Sequence, residues 1–249
     1  GTVGIQKWNF GLGRNFAGIY REIWLRWNGS LCSCSDYLDI VPDNVTTLDI
    51  VFNNRNTAER YLANCYHFVP DHGSVKRIPG MGAGHECWFY TTNDSHFDNE
   101  VSFYIARGLQ NIDAPYANYW DGEGGSNLPM FRAIRECNIF LDYVRDQHKV
   151  NDLTDSERKR WIAEVNVLKA YYHFFLFEHY GPIPIVDKAL PVSTDPEGVK
   201  VTRMPVDQIV DYMVKLIDDS YKDLPPVITM EATEMGRLTQ PAALALKAK

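Results

Sequence analysis

WIAEVNVLKAYYHFFLFEHY, residues 161–180, reads as a helix with almost no wet side. Between Val165 and Phe177 ten of thirteen residues are apolar or aromatic, and the exceptions, Asn166, Lys169 and His173, fall three and four apart, making one narrow polar stripe. Such a helix must be packed over most of its circumference. A membrane span is the rival reading, but the apolar run is short of the roughly 18 residues a bilayer needs and is broken by Lys169 and His173. Thr154 with Glu157 three residues on spells a capping box, and Asp155 adds negative charge where the helix dipole favours it. Gly181 can take the left-handed conformation after the last turn, and Pro182 and Pro184 cannot continue it. The spacing therefore predicts a helix from Asp155 to Tyr180, about 39 Å long. His173 reads as a hydrogen-bonded interior histidine beside Lys169 rather than as a catalytic base.

Helices to cover this rod are written on both sides. Asn56 and Glu59 are placed to cap TAERYLANCYHFV, with Ala58, Leu62, Cys65, Tyr66 and Val69 as its apolar stripe and Pro70 as its end. Pro129 opens a second helix through about Gln147, with Met130, Ile134, Cys137, Leu141 and Val144 on one face. After the proline-rich linker GPIPIVDKALPVSTDPEG, Pro205 starts another. Its stripe is Val206, Ile209, Val210, Met213, Leu216, Ile217 and Leu224, and Pro225 and Pro226 end it. Thr239 and Pro241 begin a last helix, AALALKAK, which has no C-cap and suggests the front part of a longer protein. After Cys34 the stretch SDYLDIVPDN looks extended, with Pro42 blocking a helix, and residues 87–126 look aromatic and irregular. Helix pairs without a clear strand predict an all-α fold of tetratricopeptide-like hairpins with long irregular loops, truncated after two units and a fraction.

At 249 residues and 45% hydrophobic, the chain can bury a large core. A net charge of −7 with no basic run argues against nucleic acid and anionic membrane surfaces. Five scattered cysteines do not read as a disulfide framework, and Cys65 and Cys137 fall on apolar helix faces. Residues 1–33 lack the apolar core of a signal peptide and are set apart as an atypical leader or mis-started segment, leaving 34–249 as the helical domain. Within that leader, Leu31-Cys32-Ser33-Cys34 has the local shape of a lipobox, against the alternative of an unremarkable cysteine pair.

No nucleophile elbow, Walker loop or HExxH occurs, so neither an enzyme nor a cofactor is expected. Gly80-Met81-Gly82-Ala83-Gly84 has no leading strand and no following Lys-Ser/Thr, and reads as a loop. His85, Cys87 and His96, with His72 nearby, match no metal-ligand spacing, and surface histidines are favoured. The carboxylate pairs Asp218 with Asp219 and Asp121 with Glu123 read as solvated acids. Trp88, Phe89, Tyr90, Tyr116, Tyr119 and Trp120 are the candidates for binding. Rings with a polar tip suit the apolar face of a sugar, although packing is the competing role.

Taken in order, CSDYLDIVPDN, NTAERYLANCY, FRAIRECNIFLDYV, ERKRWIAEVNVLKAYYHFFLFEHYGPIPIV and GRLTQPAALALKAK closely resemble the amino-terminal half of SusD/RagB-type outer-membrane lipoproteins. The most specific part is the long helix running into Tyr-Gly-Pro-Ile-Pro. The resemblance covers about residues 34–249. It implies a helical fold anchored at the cell surface through a lipidated cysteine, here Cys34. It further implies capture of glycans or related nutrients for a partner TonB-dependent (SusC-like) transporter, without catalysis. The family's apolar signal sequence is not matched by residues 1–33, and no glycan-contacting residue carries over by motif. A helical-repeat scaffold that binds only protein partners is the alternative.

Overall fold

The computed structural model describes residues 48–73, 80, 83–84, 101–113, 115–122, 128–190 and 200–249. Cys34, Trp88, Phe89, Tyr90, His85, Cys87 and His96 lie outside the described residues. The described part is all helix and loop, without a strand: α1 (Leu48–Val51), α2 (Arg55–His67), α3 (Val101–Ala106), α4 (Met130–Arg145), α5 (Asp155–Tyr180), α6 (Val206–Asp218), a 3-10 turn (Tyr221–Asp223), α7 (Glu231–Glu234) and α8 (Gln240–Ala248).

The rod read from the sequence is α5, with the bounds expected of it. Its capping box is formed: Glu157 N donates to Thr154 Oγ1, and Thr154 N donates to Glu157 Oε2. At the other end Gly181 has positive φ, +67°, but a ψ of −130°, outside the left-handed helical region expected of it. That backbone is accessible essentially to glycine alone. From Ala163 to Ala170 every residue of α5 is buried.

Two antiparallel hairpins share this helix. α4 packs most extensively on α5, with Arg158 at Val144 and Trp161 beside Phe140; α6 runs back along another face, with Asn166 at Ser220 and His173 at Tyr212. α2 lies parallel to α5, Arg55 reaching Glu157 near one end and Tyr172 donating its hydroxyl hydrogen to Cys65 O near the other. The fold is therefore the tetratricopeptide-like arrangement of helical hairpins expected from the pattern. Cys65 and Cys137 are both fully buried free thiols.

Several boundaries differ from the reading of the sequence, each for a local reason. α2 is capped by Asn54, whose Oδ1 accepts from Thr57 N at 3.0 Å, not by Asn56 and Glu59. α4 stops at Arg145 because Asp146 turns extended, and Arg158 donates to the carbonyls of Val144, Asp146, Lys149 and Val150, supplying partners the helix end lacks. α3 is a short helix within the stretch expected to be irregular. In α6 only Ile209, Met213 and Ile217 of the stripe are fully buried, while Val206 and Val210 remain exposed. Leu224 is buried, but it follows the 3-10 turn rather than continuing α6.

Candidate functional site

The polar stripe of α5 serves the linker that follows it. Residues 183–190 form an irregular strap across α4 and α5. Lys169, 2% exposed, donates to Asp187 O at 2.9 Å and Asp187 Oδ1 at 2.8 Å. Asn138 Nδ2 donates to Val186 O at 3.0 Å, and Arg135 Nη1 donates to Leu190 O. His173 is 0% exposed; its Nε2 accepts from Val186 N at 3.4 Å, which leaves Nδ1 to donate to Lys169 O at 2.7 Å. Burial pushes its pKa down to about 4, so the ring is neutral and structural, the interior role expected for it.

Against the strap stands the loop that carries three of the aromatic candidates. Tyr180, at the end of α5, organises it: Tyr119 N donates to Tyr180 Oη at 2.9 Å, and that hydroxyl donates to Ala117 O at 3.4 Å. Gly122 closes the loop with φ +89°, where a Cβ would lie 2.9 Å from Pro129 Cδ. Tyr119 is 1% exposed and packs edge-on against Phe175 and His179, so its ring serves the core. Tyr116 is half-buried and stacks on Tyr104 with centroids 4.4 Å apart.

Trp120, also half-buried, lies 4.6 Å from Phe131 and meets Tyr180 edge-on at 5.5 Å. The Arg203 guanidinium sits 5.3 Å from the Trp120 ring centre, within cation–π range. A cavity of about 220 Å³ opens here, between Trp120, Phe131 and Arg135 on one side and Pro184, Val186, Leu190 and Val201 on the other. Of the aromatic candidates that are described, Trp120 alone lines it. Phe131 and Arg135 could be read from the sequence only as residues four apart on α4, and Arg203 and the strap gave no signal beyond proline content.

A larger cavity, about 600 Å³, lies between α2, α5 and α8, lined by Val69, Val167, Leu168, Leu238, Ala242 and Leu246 among others. Its tyrosine hydroxyls are already engaged. Tyr66 donates to Glu164 and accepts from Leu238 N, and Tyr171 bonds His72 at 2.5 Å. A sugar needs polar partners as well as rings, so the smaller cavity suits it better. Among the described residues, no three His, Cys, Asp or Glu side chains gather as metal ligands, and no helix is long and apolar enough to cross a membrane.

Solved structures share the fold, among them these three. A SusD-like protein from Bacteroides fragilis is 19% identical, with 80% of this chain and 35% of that one covered at a TM-score of 0.59. A laminarin-binding SusD-like protein is 18% identical, with 78% and 39% covered at 0.59. Surface glycan-binding protein A from Bacteroides thetaiotaomicron, solved with laminarihexaose, is 18% identical, with 78% and 38% covered at 0.55. The chain thus spans less than half the length of each. No curated protein matches it. The family model described as "Starch-binding associating with outer membrane" matches residues 36–249, and the chain belongs to that SusD-like family.

Proposed function

We propose that this chain belongs to a non-catalytic, cell-surface glycan-binding protein that hands its ligand to a partner TonB-dependent transporter. Lipid on Cys34 would hold it to the outer membrane, with residues 34–249 acting as the helical domain. Membership of a starch-binding, outer-membrane-associated family supports the general reading, as do one structural neighbour named as laminarin-binding and another solved with laminarihexaose. The observation that carries the site is the Trp120 cavity. Two aromatic rings, Trp120 and Phe131, border it, and guanidinium donors from Arg135 and Arg203 stand beside them. Apolar ring faces next to hydrogen-bond donors are what a pyranose requires, and the strap opposite is fixed by Lys169, Asn138 and His173.

Affinity electrophoresis against a polysaccharide panel tests this directly. Retardation by at least one polysaccharide is expected, and uniform lack of retardation would refute a glycan ligand. Capture of a TonB-dependent channel without any sugar binding would favour a scaffold that binds only protein.

A further inference from the structure

We infer that the Trp120 cavity is built for an anionic glycan, one carrying carboxylate or sulfate groups. This rests on the glycan-binding reading above and narrows it. The chain carries 32 acidic against 25 basic residues, and several of its described arginines pair with carboxylates. Arg55 pairs with Glu157, Arg160 with Glu164 and Glu234, and Arg237 with Glu164. Arg135 and Arg203, like Arg145 and Arg158, are not among these, and Arg135 and Arg203 stand at the Trp120 cavity. Among the described residues neither has a carboxylate partner; Arg135 Nη1 donates to Leu190 O, and Arg203 Nη1 donates to Pro182 O at 3.0 Å. The acid of the strap, Asp187, is already held by Lys169 and by the Tyr212 hydroxyl at 2.9 Å.

Two positive charges are thus left beside an aromatic cavity in an acidic protein. A guanidinium offers five donors in a planar fork, and most of those on Arg135 and Arg203 remain for a ligand. The fork matches a carboxylate or sulfate in two parallel hydrogen bonds, which a neutral sugar cannot use as fully. At about 220 Å³ the cavity is smaller than the roughly 300 to 1,000 Å³ of drug-sized sites. It suits one sugar unit of a longer chain, with its apolar face toward Trp120 and Phe131 and its acidic group toward the arginines.

The test compares each anionic polymer with its neutral partner: polygalacturonate with its methyl ester, and dextran sulfate with dextran. Affinity electrophoresis of the purified chain should show at least one anionic polymer binding about tenfold tighter than its partner. The first pair reports carboxylate and the second sulfate. Arg203→Gln and Arg135→Gln should each bring the ratio toward one. Lys215→Gln, which removes an exposed charge on α6, should leave it in place. Arg203 is exposed, so its variant is expected to fold even if Arg135→Gln does not. Equal binding of anionic and neutral polymers, or a preference that survives Arg203→Gln, overturns the inference and leaves glycan binding standing. No binding to any polymer, neutral glycans included, removes both.

Discussion

Lys169 and Asp187 join the most buried part of the central helix to the strap that walls the candidate site, ammonium to carboxylate at 2.8 Å. The pair is lopsided: the Lys169 side chain is 2% exposed and that of Asp187 64%. Burial holds Lys169 below its ordinary pKa despite its partner. Burial also pushes Asp187 up, but the hydrogen bonds from Lys169 and Tyr212 outweigh it and leave the carboxyl below its usual range.

Replacing the buried member alone should therefore cost little global stability. Lys169→Met removes a desolvated charge and leaves Asp187 in water, so the change in unfolding free energy is expected within about 1 kcal/mol. The strap should nonetheless loosen. Hydrogen exchange of the amides at 185–188 is expected to accelerate markedly, and unchanged protection there would show that the ion pair does not hold the strap.

His173 sets a pH dependence whose sign follows from its depressed pKa. The unfolded chain takes up a proton near pH 6.5, whereas the native ring refuses it until about 4. Stability from this group is full above about 6.5 and falls as pH drops toward 4, by at most about 3 kcal/mol. Lys169 and Asp187 also face this region, Asp187 losing its contribution at still lower pH. Urea unfolding between pH 7 and 4 measures the slope, and His173→Gln should remove this share of it.

Glu164 is the buried anchor for the chain after α7. At 0% exposure it accepts from Tyr66 at 2.8 Å, from Arg160 at 2.9 Å and from Arg237 at 2.9 Å. Glu164→Ala would leave Arg160 and Arg237 to share Glu234, and the Tyr66 hydroxyl without its acceptor, at an expected cost of about 1 to 3 kcal/mol by denaturant unfolding. A loss under about 1 kcal/mol would mean that the arginines find water instead.

Much of the fold was legible because α5 is nearly unambiguous: a capping box, thirteen residues with one narrow polar stripe, then Gly-Pro. The amphipathic faces of α4 and α2 followed from spacing. α3 was hidden because VSFYIA is too short for a helical period to declare itself. Val206 and Val210 misled because apolar residues at helical spacing do not say how wide the neighbouring helix is. The site was less legible still. Trp120 and Tyr119 are adjacent aromatics with similar chemistry, yet one lines a cavity and the other is core, a difference set by the Tyr180 hydroxyl 61 residues away. Arg135, Arg203 and the strap meet only in three dimensions.

For the membrane anchor, expression behind a lipoprotein signal sequence with a labelled fatty acid is the check. Cys34→Ala is expected to abolish lipid labelling and Cys32→Ala to leave it unchanged; labelling that persists in Cys34→Ala would refute the assignment.

Calorimetric titration of Trp120→Ala with a polysaccharide that retards the wild-type chain tests the site itself. Trp120 borders the cavity without being fully buried, so the variant should keep the helical circular dichroism of the parent and lose at least about fivefold in affinity, the loss of one stacked aromatic contact being about 1 to 3 kcal/mol. Wild-type affinity in a folded Trp120→Ala protein would contradict the placement of the glycan in this cavity.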